Sequence, residues 1–216
     1  MSRTTRCAIL GLWVVVGLAG CGTVADQIVP TTLSQTSSLE PDSLSRYRLA
    51  FLTPSSVTGQ EQDRQSLALY FTETLRAQRP SIPVVSLSET LGLVNRAGLA
   101  DDYRKMFDDY AETGIFARAP LEKIGRAVGA RYFAQLKLAG FSQDTYERFS
   151  LLGFRLFQTL HANLRLYLQI WDSETGTIAW EGSEELNYSY DSSAARPVTF
   201  RLVVEEAARH LIARLP

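Results

Sequence analysis

The rhythm of apolar residues changes near residue 130 of this 216-residue chain. Before that point most segments repeat every three to four residues, as a helix with one buried face requires; after it they alternate, as a half-buried strand requires. Residues 46–54 set Tyr47, Leu49 and Phe51 against Arg48 and Ala50, which predicts a first strand. Leu67, Tyr70, Phe71, Thr74, Leu75 and Gln78 then mark a helical face that Pro80 ends. A short strand over 82–85 precedes Ser86 and Glu89, spaced as a capping box for a helix carrying Leu87, Leu91 and Val94. Leu99, Tyr103, Met106, Phe107 and Tyr110 mark the next helix. Pro120 opens another through Leu121, Ile124 and Val128, with Gly129 placed to stop it in a left-handed cap.

Beyond this point Tyr132, Ala134, Leu136 and Leu138 alternate with Arg131, Gln135 and Lys137, and Leu164, Leu166, Leu168 and Ile170 alternate with Asn163, Arg165, Tyr167 and Gln169. A third strand runs from Ile178 and Trp180 through Leu186, Tyr188 and Tyr190. Asp172-Ser173-Glu174-Thr175-Gly176 supplies an Asx-type turn and a glycine to close the hairpin between the last two. Phe200, Val203, Val204, Ala207, Ala208, Leu211, Ile212 and Leu215 form one stripe on a closing helix, with Arg201, Glu205 and Arg209 opposite. The order β-α-β-α-α-α-β-β-β-α predicts an α/β fold, a mixed β-sheet with helices packed against it.

The first residues follow another rule. Arg3 and Arg6 precede an uncharged, mostly apolar run over residues 8–19, too short for the roughly 20 residues of a membrane-spanning helix and suited to a signal peptide. The run closes on Leu18-Ala19-Gly20-Cys21, which resembles the lipobox of bacterial lipoproteins. The resemblance implies cleavage before Cys21 and a covalent lipid there, palmitate included, the only cofactor-like group expected. Several acyl chains on one residue make the attachment effectively permanent. Gly22, where an aspartate in enterobacterial lipoproteins favours retention at the inner membrane, points to the outer membrane with the domain facing the periplasm.

Residues 22–45 are rich in Ser and Thr with Pro30 and Pro41, and read as a flexible tether. The expected organisation is therefore a signal peptide over 1–20, a lipidated cysteine and tether over 21–45, and one α/β domain over 46–216. Loss of Arg3 and Arg6 with the signal leaves 20 basic against 23 acidic residues, a net of −3, with no basic field for nucleic acid. Cys7 leaves as well, so Cys21 is the sole mature cysteine and disulfide chemistry is excluded from the mature chain.

Three segments carry a second resemblance: Ile124-Gly125-Arg126-Ala127-Val128-Gly129-Ala130-Arg131-Tyr132, the hairpin from Leu168 to Trp180, and the closing helix. Together they resemble a superfamily of envelope domains. It includes the curli secretion channel subunit, the lipoprotein activators of penicillin-binding proteins and the amino-terminal domain of the Tol-system propeller protein. The resemblance implies a binding or scaffold role without catalysis. One branch assembles pores by inserting two long hairpins into the outer membrane. Here residues 140–160 have length for one short hairpin only, and Asp144, Glu147, Arg148 and Arg155 interrupt a lipid-facing alternation.

Catalytic chemistry finds little support. The two histidines, His161 and His210, lack metal-ligand spacing, and His210 falls on the polar flank of the last helix, where a surface position is expected. Asp101, Asp102, Asp108 and Asp109 read as a solvated charged face. No Gly-x-Ser-x-Gly elbow or glycine-rich phosphate loop occurs. The hairpin ending at Trp180 reads as a turn with a packed tryptophan. Tyr146, Phe149, Leu151 and Leu152 stand out as an apolar, aromatic cluster flanked by arginines, expected as an exposed loop that touches a partner or the membrane surface. The expected function is an outer membrane lipoprotein whose non-catalytic domain serves an envelope assembly through an unidentified protein partner. An oligomeric secretion or transport component (a homo-oligomer) and an envelope hydrolase are the alternatives.

Overall fold

The computed structural model describes residues 27–57, 61–151, 154–192 and 199–216. Among them the strands are β1 (Gln27–Thr36), β2 (Leu49–Phe51), β3 (Ser55–Ser56), β4 (Val84–Val85), β5 (Tyr132–Leu151), β6 (Phe154–Asp172) and β7 (Thr177–Ser192). The helices are α1 (Ser43–Arg46), α2 (Glu61–Gln78), α3 (Leu87–Arg96), α4 (Ala100–Thr113), α5 (Arg118–Val128) and α6 (Phe200–Ala213). The strands form one mixed sheet in the order β1-β7-β6-β5-β2-β4, with β3 paired to β5 beyond the end of β2. β2 runs parallel to β4 and β5; β5, β6, β7 and β1 are antiparallel neighbours. With β1, α1 and β3 set aside, the element order is the one the alternation predicts.

Both faces of the sheet are buried, but not over the same length. Tyr132, Ala134, Leu136 and Leu138 of β5 and the alternating leucines of β6 face α2 and α6 in one core. Phe133 and Trp171 join Val94, Met106, Leu121 and Ile124 beneath α3, α4 and α5 in the other. A one-residue slip in β5 would exchange these sets, so the two cores fix the register jointly. The second core ends near Trp171. Past it, on the same face, Leu33, Tyr167 and Val29 are exposed.

The tether expected over residues 21–45 is a correction. Gln27–Thr36 pair with β7 along their whole length, from Gln27↔Ser189 to Thr36↔Trp180. Leu39, Ser43 and Leu44 are buried, and the amides of Ser37, Ser38 and Leu39 reach the Ala179 carbonyl. The β-branched residues Ile28, Val29, Thr31 and Thr32 suit a strand. Pro30, which has no amide to donate, is tolerated because β1 lies at the sheet edge. The folded domain therefore includes residues 27–45, which were expected to lie outside it.

Local chemistry sets most helix ends. Ser86 and Glu89 form the reciprocal capping box: the Ser86 amide donates to Glu89 Oε2 at 2.8 Å, and the Glu89 amide donates to Ser86 Oγ at 3.4 Å. α5 starts at Arg118, two residues before Pro120, a position in the first turn where no amide partner is needed. Gly129 ends it at φ 69°, in the left-handed region expected of it.

The hydrogen bonds from Ser86, backbone first, hold the Glu89 carboxyl below its ordinary 4.5, helped by Arg76. A depressed carboxyl stabilises the fold above its unfolded value, and that contribution fades as pH falls through the folded value. Ser86→Ala keeps the backbone amide and removes the hydroxyl, which caps the helix and donates to Glu89 Oε2 at 2.8 Å, so it should cost about 1 kcal/mol at neutral pH. The wild-type advantage should shrink once pH drops below 4.5, as read by urea denaturation at several pH values.

Candidate functional site

Leu18, Ala19, Gly20 and Cys21 lie outside the described residues, as does Leu152. The chain enters the described structure at Gln27, so only residues 22–26 separate Cys21 from a strand hydrogen-bonded into the sheet. Cys21 is thus separated from the folded domain by at most five residues, against the 25-residue tether expected over 21–45.

The expected loop containing Tyr146, Phe149 and Leu151 is also a correction. These residues belong to β5, in register with Thr159, Phe157 and Phe154 of β6. The segment pairs because both arms are rich in aromatic, leucine and threonine residues suited to strands. Register shifts around Glu147, Phe149 and Ser150 mark irregular pairing close to the turn. The hairpin is continuous from the core to Leu151 and Phe154.

His210 is a second departure, because it is not an ordinary surface residue. Its Nδ1 lies 3.0 Å from Oε1 of Glu184, a carboxylate with no exposed surface, and its Nε2 lies 3.6 Å from Oε1 of Glu206. The other Glu184 oxygen accepts a hydrogen bond from Thr32 Oγ1. This clasp joins β1, β7 and α6. It has two members of a hydrolytic triad and not the third role, since the hydroxyl sits on the acid while the free side of the imidazole faces another carboxylate. The clasp holds the edge strand to the closing helix. Sequence spacing gave no hint of it, because Thr32 meets Glu184 through pairing of β1 with β7 and His210 reaches Glu184 through packing of α6 on that strand.

A cleft of about 630 Å³ opens at the carboxyl end of β2, lined by Thr53, Ser55, Arg64, Tyr103, Arg104 and Lys137 among others. The link from β2 to β4 crosses by α2 on one face, and that from β4 to β5 crosses by α3–α5 on the other. Such a point of divergence leaves a crevice. The Tyr103 hydroxyl accepts from the Thr53 amide at 2.9 Å and lies 3.0 Å from Thr53 Oγ1. Burial pushes this phenol up to about 12, against the weaker pull of the Thr53 hydrogen bonds, so it stays neutral. Arg104 is engaged by Asp101 at 3.3 Å and Asp108 at 3.9 Å.

The four aspartates of α4 are in ion pairs rather than grouped around a cation. Besides the Arg104 pairs, Lys105 meets Asp109 at 3.0 Å and Lys123 meets Asp102 at 2.7 Å. Among the described residues no cluster has the donors to hold a metal.

The uncovered sheet face is ordered by cross-strand rows. Arg165 lies 3.4 Å from Glu185, which is level with Thr31. In the next row Asn163 Nδ2 donates to Asn187 Oδ1 at 2.6 Å, level with Val29. Toward the turn end Tyr167, Ser183 and Leu33 share one row. Exposed apolar side chains within polar rows provide a contact surface, and among the described residues β1 is the outermost strand beside it. Trp180, at the base of the same strands, is packed with no exposed surface, as its hairpin pattern leads one to expect.

No protein-family model and no curated protein matches the chain. Among solved structures, the PelC dodecamer from Paraburkholderia phytofirmans is 13% identical with a TM-score of 0.44, covering 87% of this chain and 94% of that one. Lipoprotein GNA1162 from Neisseria meningitidis is 12% identical with a TM-score of 0.41, covering 77% and 98%. The LpoB C-terminal domain from Salmonella enterica is 18% identical with a TM-score of 0.34, covering 64% and 81%. Likenesses of this degree assign neither a family nor an activity.

Proposed function

We propose that the chain is an envelope lipoprotein, cleaved before Cys21 and acylated there, whose domain binds or scaffolds an envelope assembly without catalysis. The observation that carries this reading is Leu18-Ala19-Gly20-Cys21 at the end of a charged-then-apolar leader. Gly22 favours residence at the outer membrane, facing the periplasm. The open face around Tyr167, Leu33 and Val29, with the β1 edge beside it, is the surface offered to a protein partner. Among the described residues no helix is long and apolar enough to cross a membrane.

Cys21→Ser should abolish palmitate labelling and leave the protein with its signal uncut or free of the outer membrane fraction on a density gradient. Wild-type protein should co-migrate with that fraction. Labelling that persists in Cys21→Ser would remove the anchor from this account. Crosslinked cells, purified in parallel with the Cys21→Ser strain, would then identify the partner.

A further inference from the structure

Strand register gives the anchored domain an orientation. Gln27, the first residue of β1, is level with Ser189 of β7, which is level with His161 of β6 and Asp144 of β5. β1 is antiparallel to β7, so the chain preceding Gln27 arrives from the end of the sheet where β5 and β6 continue past that row. The β6–β7 turn at Glu174–Gly176 lies at the opposite end.

The lengths on the two sides agree. From Cys21 to Gln27 the chain spans at most about 20–22 Å. Residues 145–151 of β5, paired with 154–160 of β6, carry the hairpin beyond the Asp144–His161 row by about 23 Å at a strand's rise. A fully extended chain would bring a lipid held on Cys21 to about the height of the hairpin end, on the same side of the domain.

We infer that the end of the β5–β6 hairpin rests on the leaflet that carries the lipid of Cys21, the paired strand ends from Phe149 to Leu151 and from Phe154 to Phe157 lying at the headgroup–acyl boundary. This deepens the anchor reading and rests on it. Composition agrees with the placement: four large apolar residues stand beside Arg155, and aromatic and arginine side chains favour a bilayer interface over either water or hydrocarbon. The hairpin is one ribbon reaching the surface of the bilayer, not a strand pair crossing it. Two attachment points, the lipid and the hairpin end, would hold the sheet upright and turn the far end, with its Glu174–Gly176 turn, toward the periplasm.

The test needs no cellular acylation. The mature chain, residues 21–216, is coupled through its only thiol, Cys21, to a maleimide-headgroup lipid in phosphatidylethanolamine–phosphatidylglycerol vesicles containing acyl-chain-brominated lipid. Phe149→Trp and Leu151→Trp are compared with Thr175→Trp at the opposite end, the native tryptophans Trp171 and Trp180 being buried and common to all three. Emission from the added tryptophan should be quenched and shifted to the blue in the first two variants and unaffected in the third. Unquenched emission from both hairpin variants overturns the inference and leaves that end of the domain to a protein partner. Equal quenching in all three would overturn the orientation. Failure of the acylation reading shows instead in the palmitate experiment, which these vesicles bypass.

Discussion

Trp180→Ala is expected to destabilise the domain by about 3–5 kcal/mol, measured by urea denaturation of the mature protein. The indole is fully buried in the core under α2 and α6, level with Ile170 on one side and Thr36 on the other. Gly182 leaves room for it: a β-carbon there would come within 2.5 Å of Trp180 Cη2. The indole nitrogen has no hydrogen-bond partner among the described residues. The contribution of Trp180 is therefore packing, with an unmet polar group working against it. Trp180→Phe, which keeps much of the volume and removes the orphaned donor, should lose markedly less. Equal losses in the two variants would contradict this explanation.

The second large effect should come from Asp172→Ala, about 3 kcal/mol, because it removes the buried partner of a partly buried guanidinium and leaves only the exposed Glu174, 3.3 Å away, as counter-charge. Asp172 is almost fully buried and receives Arg131 through Nε at 3.2 Å and Nη2 at 2.8 Å. The same carboxylate accepts the Glu174 amide at 2.9 Å and so forms the β6–β7 turn, which Gly176 closes at φ 74°. Arg131 also lies over Tyr47, its guanidinium 4.9 Å from the ring centroid, and the Asp172 hydrogen bonds raise its pKa beyond the ordinary arginine range. One side chain thus ties the start of β5 to the end of β6. Asp172→Asn keeps an acceptor for the Glu174 amide but loses the charge, so its cost should fall between wild type and alanine.

The sequence read well where burial and period agree. β5, β6 and α6 each present a continuous apolar stripe to a core, and the structure places them where the alternation and the 3.6-residue spacing put them. Gly129, the Ser86–Glu89 box and the Asp172 turn were legible because their chemistry is local. β1 was not, and its residues show why. Val29 and Leu33 face solvent while Thr32 turns toward Glu184, so the usual apolar-in pattern is inverted on an edge strand. Only the run of β-branched residues marked it, within a segment whose serines and threonines resemble a linker.

The site was legible in a different measure. The lipobox-like Leu18-Ala19-Gly20-Cys21 and the apolar cluster around Phe149 could be read directly from residues, since each depends on neighbours in sequence. Their relation could not, because it follows from β1 joining β7 and β7 joining β6. The Thr32–Glu184–His210 clasp was invisible for the same reason: its members come from distant parts of the chain. Pairing of residues 27–36 with β7 is what shortens the lead between Cys21 and the folded domain.

Mass spectrometry of the amino-terminal peptide of protein isolated from native membranes bears most directly on this account. The account predicts a mature chain that starts at Cys21 and carries acyl groups on its sulfur and its amino group. A peptide that begins elsewhere, or an unmodified Cys21 in membrane-bound protein, would contradict it.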